Sequence, residues 1–232
     1  MKASSKVVTH ALPLAVLLAA LGLGLGFGVA FNGAGGAVPG ASGSGPPGPE
    51  GVALIDAPPL ASADTMASGR PVDGITCRRD ADQVVAYHIH VHLAIYVNGD
   101  QRRLPAGIGI TPPRLAEHFP SGLFYDVGPS DCLYWLHVHT ADDVIHVEAP
   151  AKAVFVLGQF FDIWRQPLGP DQVGPAKGKV TAFLNGREIR YNPRQVPLLR
   201  HAVIQLDVGR IVSFRNVRFH VSELCASSSN SC

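Results

Sequence analysis

The sequence predicts a mainly β domain, an antiparallel sandwich or barrel-like sheet with one or two short helices. Three observations predict it. Residues 84 to 97 alternate between apolar side chains and histidines with a period of two. Two Asn-Gly dipeptides, Asn98-Gly99 and Asn185-Gly186, each follow a strand-like run, and this pair is the strongest short-range hairpin signal. Two more β-rich runs, Leu133 to His139 and Val144 to Glu148, flank the polar tetrapeptide Thr140-Ala141-Asp142-Asp143.

The first strand places Tyr87, Ile89, Val91, Leu93, Ile95 and Val97 on one face and His88, His90, His92, Ala94 and Tyr96 on the other. Its return strand runs through Arg102 to Leu104, and Pro112-Pro113 closes that region in a loop. The second hairpin, with a four-residue turn, puts His139 opposite Val144, His137 opposite His146 and Trp135 opposite Glu148. Phe155 to Trp164 has the composition of a short helix laying aromatics on the sheet. Lys179 to Leu184, with its return through Ile189 and Tyr191, repeats the earlier hairpin plan, and Ala202–Val208 and Ile211–Val221 read as further strands.

The ends have a different character. Residues 1–31 carry Lys2 and Lys6 ahead of an apolar run from Ala11 to Phe31, the pattern of an export signal. The run is longer than the roughly 7–15 residues of a cleavable signal core and reaches the ~20 that span a bilayer. An uncleaved anchor is therefore expected, with the lysines cytoplasmic and the rest outside; cleavage after Ala30 is the alternative. Residues 32–73, mostly Gly, Ala, Pro and Ser at their start, read as a flexible linker, 74–224 as the folded domain and 225–232 as a frayed tail. The expected location is a cell membrane with an extracytoplasmic domain, or the periplasm or exterior if cleaved. Cys77, Cys132, Cys225 and Cys232 then lie where disulfides form. Cys77 with Cys132 and a tail ring of Cys225 with Cys232 are the two pairings of interest, and the absence of any CxxC argues against a cysteine metal site. A formal net charge of +1 gives no basic surface for nucleic acid.

Alternation alone gathers His88, His90 and His92 on one side of their strand, and His137, His139 and His146 on one side of theirs. Two imidazoles from one strand and a third from its antiparallel neighbour can reach the ~2.0–2.1 Å that a zinc–nitrogen bond needs without backbone distortion. A lone strand histidine is ordinarily a hydrogen-bonded or solvent-facing residue. Six in two aligned sets are different, because without a metal they crowd like charges below pH ~6.5 and leave ring nitrogens to satisfy. The expected metal ligands are His90, His92, His137, His139 and His146, with His88 next. Glu148 is a candidate ligand, general base or acceptor that fixes an imidazole tautomer. Asp142 and Asp143 read as turn formers, with support of a ligand imidazole as the alternative; His118 and His201 read as ordinary polar residues, His220 lies in an Arg-rich strand and His10 in the export segment. All-imidazole coordination suits copper or zinc, with copper favoured outside the cytoplasm.

The segments Tyr87 to Gly99, Pro105 to Ile110, Tyr134 to His139, Val144 to Glu148 and Leu157 to Trp164 resemble an uncharacterised family of exported or membrane-anchored bacterial and archaeal proteins. Its motifs stand here as HxHxHL…VNG and LHxH…IHVE…LGQFFD, and the match runs from Gly74 to Gly209. The resemblance implies that the histidines belong to a shared pattern and brings no activity, cofactor or substrate. The turn Thr140-Ala141-Asp142-Asp143 departs from the family's more usual Asp, small residue and Gly.

Three functions compete on this reading. The first is an envelope protein that holds or delivers copper or zinc. The second is a metalloenzyme whose ion activates water, with Glu148 as base. The third is a metal-free interaction module whose imidazoles sense acid.

Overall fold

In the computed structural model the described residues are 46–220, apart from 80, 81 and 83. In chain order the strands are β1 Cys77–Arg78, β2 Tyr87–Val97, β3 Asp100–Arg102, β4 Arg114–Phe119, β5 Gly122–Val127, β6 Leu133–Tyr134, β7 Leu136–His137, β8 Val144–Ala149 and β9 Phe155–Val156. Helix α1, Leu157–Trp164, follows, then β10 Leu168–Gly169, β11 Gln172–Val173, β12 Ala176–Lys177, β13 Val180–Leu184, β14 Arg187–Ile189, β15 Pro197–Leu198 and β16 Val203–Val208. Among the described residues the fold is mainly β, with several antiparallel sheets and one short α-helix, as the sequence predicts.

The central sheet runs β14-β13-β16-β2-β8-β7, with β3 also pairing β2. Strand β2 organises it. Its first half pairs antiparallel with β8, its last three residues with β3, and its other edge takes β16 in parallel. That parallel pair departs from the all-antiparallel expectation. A parallel neighbour needs a long crossover, and the hundred-odd residues between β3 and β16 supply one that local pattern cannot reveal. Both Asn-Gly pairs form their hairpins, with φ of 52° and 91° at Asn98 and Gly99 and 50° and 81° at Asn185 and Gly186. Positive φ at both central positions is what a type I′ turn requires.

The apolar face of β2, Ile89, Val91, Leu93 and Ile95, packs into the main core with Leu136, Ile145, Val147, Leu206 and α1. Helix α1 buries Phe160, Phe161 and Trp164 together, and Trp164 Nε1 donates to the Ser62 carbonyl at 2.8 Å. Gln159 Oε1 accepts from the Val156 amide at 2.9 Å to start the helix, and Arg165, with φ 56°, ends it. The Cys77–Cys132 disulfide ties β1 to the residue before β6. The tail ring of Cys225 with Cys232 lies outside the described residues, as does the expected signal or anchor over 1–31. Among the described residues no helix is long and apolar enough to cross a membrane.

Three expectations are corrected and one hairpin is added. Residues 46–73 do not behave as a tether: Val52, Leu60, Ala63, Met66 and Ala67 are buried, and Ile55 N–H donates to the Ala141 carbonyl at 2.8 Å. Their few apolar residues suffice because they cover an existing sheet instead of building a core. Residues 211–220 form no strand; the β16 side chains of Gln205 and Asp207 accept the Arg215 and Val212 amides that a neighbouring strand would have bonded. Residues 114–127, to which the sequence reading assigns no element, form the β4–β5 hairpin. The tetrapeptide 140–143 is no solvated turn. Pairing of β7 with β8 ends at His137↔His146, and Thr140, Asp142 and Asp143 are buried. Asp143 Oδ1 accepts from Leu104 N–H at 2.6 Å, and burial lifts its carboxyl to about 7.

Candidate metal centre

Register builds the site. On the face of the sheet opposite the main core, β2, β8 and β7 lie side by side, with His90 opposite His146, His88 opposite Glu148 and His137 opposite His146. One row of imidazoles therefore crosses three strands. His139 follows the end of β7 and is held toward the row by β5: its Nδ1 donates to the Tyr125 carbonyl at 2.6 Å, while the Phe124 ring stacks on it at 4.2 Å. The hairpin that sequence reading passed over thus orients a principal histidine.

Two donor sets result, each with its ligand atoms within 4.8 Å of one another: His137, His139, His146 and Glu148, and His88, His90 and His146. Their orientation is informative. His137 Nδ1 lies 2.7 Å from the Tyr134 carbonyl and His139 Nδ1 lies 2.6 Å from that of Tyr125. A carbonyl only accepts, so both Nδ1 atoms must carry the proton. The two Nε2 atoms then face each other, 2.9 Å apart, as lone pairs. Burial holds the His137 ring down to about 4 and His139 well below its ordinary value, so no proton resides between them near neutral pH. Opposed lone pairs at that distance repel unless a cation lies between or beside them.

His146 carries the opposite bias. Burial alone would lower it, but the carboxylates of Glu50 and Glu148 outweigh burial and raise it to about 10. Its Nε2 lies 2.8 Å from Glu50 and its Nδ1 3.6 Å from Glu148 and 3.2 Å from His88 Nε2. Glu148 in turn sits 3.2 Å from His88 and 3.9 Å from His137; burial would raise its carboxyl, yet His146, His137 and His88 hold it well below the ordinary range. It is surrounded by imidazoles, the position of a donor or charge partner. Burial, then the proximity of Glu50, pushes Asp142 well above the carboxylate range.

Of the sequence-predicted ligands, His88, His90, His137, His139 and His146 converge, with Glu148 among them. His92 does not join either set. It lies one register step further, opposite Val144, and both of its ring nitrogens are buried without a hydrogen-bond partner. Burial lowers it to about 4. His118 is exposed, while His201 stacks on Phe219. Sequence reading missed Glu50, which is 4% exposed against His146. Its signal was present: Glu50 is the first charged residue after Lys6.

Fold and site together define a β-sheet domain with a buried histidine–glutamate cluster that could hold a metal ion. No family model matches the chain, and no match was found among the curated proteins or the solved structures.

Proposed function

We propose that this domain binds a transition-metal ion, copper or zinc, at the junction of β7, β8 and β2, and that it works as an exported metal-holding protein of the cell envelope. The facing Nε2 lone pairs of His137 and His139 carry the reading, because the backbone carbonyls of Tyr134 and Tyr125 fix both rings in the tautomer that presents a lone pair. His146 and Glu148 complete a four-donor set, with Glu50 beside His146 as its carboxylate charge partner. Nitrogen and oxygen donors without thiolate or thioether suit Cu(II) and Zn(II).

Enclosure favours holding over turnover. His137, His139 and His146 are each at most 5% exposed, and four protein donors would fill a tetrahedral shell of the kind that holds an ion without a bound water. Export is supported by the Lys-flanked apolar run at the start of the sequence and is compatible with the Cys77–Cys132 disulfide.

The test is metal analysis of untagged protein purified without added metal, paired with reconstitution by Zn(II) or Cu(II). About one tightly held ion per chain is expected, lost when His137 and His139 are both changed to Ala. Protein that neither retains nor takes up metal at micromolar concentration would overturn the reading.

A further inference from the structure

The polar face of β2 serves two purposes. Its first part, His88 and His90, enters the metal cluster, and its continuation, His92, Ala94 and Tyr96, lines a separate cavity of about 390 Å³. Val52, Ala53 and Ile55 form an apolar wall and Arg215 and Arg218 a cationic one, closed further by Gln101 and His220. The volume lies within the roughly 300–1,000 Å³ of small-molecule sites.

We propose that this cavity binds a small organic carboxylate with an apolar body. Three features select that chemistry. Among the described residues two arginines and no Asp or Glu line the cavity, and a guanidinium matches a carboxylate in both charge and bidentate geometry. The Arg215 guanidinium lies over the Tyr96 ring, 5.9 Å from its centre, which places the cation against an apolar surface. His92, only 2% exposed and lining the same space, has two ring nitrogens without a partner; a buried imidazole in that state wants one acceptor and one donor, and a carboxylate oxygen satisfies the N–H. The body of the ligand would rest on Val52, Ile55 and Ala94.

This inference does not depend on the metal cluster, because His92 belongs to neither donor set. The experiment uses the full chain and two probes of nearly equal shape, benzoate and benzyl alcohol, followed by ligand-detected NMR and titration calorimetry. Benzoate is expected to bind at least roughly tenfold more tightly than the alcohol, the usual difference made by a charge-assisted hydrogen bond. Arg215→Gln should remove that preference, and Ala94→Leu, which fills the cavity, should abolish binding of both probes, with melting curves establishing that each variant folds. No binding of benzoate to the wild-type protein, or equal binding of the two probes, would overturn the proposal whether or not the variants fold. Metal content measured on the same samples separates this outcome from failure of the cluster reading.

Discussion

Replacing Glu50 by Gln is the perturbation that most directly probes how the centre is assembled. Glu50 Oε2 lies 2.8 Å from His146 Nε2 in a site where Glu50 is 4% exposed. If the ion takes the other ring nitrogen, the Glu50 carboxylate remains as the charge partner of His146 and makes it a stronger donor. The amide removes that charge, and affinity should fall by roughly 10–100-fold, the range typical of such supporting carboxylates. The assay is competition for Zn(II) against a chromophoric chelator at fixed pH, with exposed Glu188→Gln as control. Affinity unchanged within about twofold would refute the supporting role, given that size of effect. A loss as large as that from His137→Ala would instead make Glu50 itself a ligand.

The remaining predictions concern the same centre and its scaffold. His139→Ala should weaken Zn(II) binding by at least roughly a hundredfold, whereas His92→Ala should change it by no more than about threefold, measured by the same competition. Metal must displace the proton that His146 holds up to about pH 10, so calorimetry at pH 7 in buffers of different ionisation enthalpy should report release of about one proton per ion, and affinity should rise with pH. In metal-free protein, the raised His146 contributes stability that is complete below pH 6.5 and lost as pH rises through about 10. The depressed His88, His92 and His137 contribute stability present above 6.5 and lost as pH falls through about 4. Chemical denaturation across pH should therefore peak near the ordinary histidine value, and a flat profile would contradict it. Gly109 has φ of 78°, and a Cβ there would come 2.5 Å from the Leu136 carbonyl oxygen and 2.7 Å from His137 Cβ. Gly109→Ala should destabilise the fold by about 1–3 kcal/mol and weaken metal binding with it, read by denaturant titration and chelator competition. Removing the Cys77–Cys132 bridge, which spans 55 residues, should cost about 4 kcal/mol by chain entropy and lower Tm by roughly 8–16 °C, read by calorimetry.

Several of these residues were legible in the sequence for a simple reason: a strand's side-chain period of two is a property of the backbone. It placed His88 and His90 on one face, and constant-sum pairing placed His137 opposite His146. The Asn-Gly hairpins were equally local, since positive φ at two successive positions selects those residues. The aromatic stretch of α1 was legible from its composition. His92 shows where such reasoning stops. It shares the face of His90, yet a strand advances about 6.6 Å in two residues, beyond the reach of a centre fixed by β7 and β8.

By itself, the sequence determined the mainly β class, the hairpin turns and the face on which each histidine would stand, because these follow from bonded geometry within a dozen residues. Only the tertiary structure decided that β2 lies beside β8, so that two hairpins share one cluster. It also decided that Glu50 returns from about a hundred residues away to hold His146, that the β4–β5 hairpin aims His139, and that β16 joins β2 in parallel. These juxtapositions depend on which surfaces are left to bury once the local elements exist, and burial is non-directional, so no short stretch of residues encodes it.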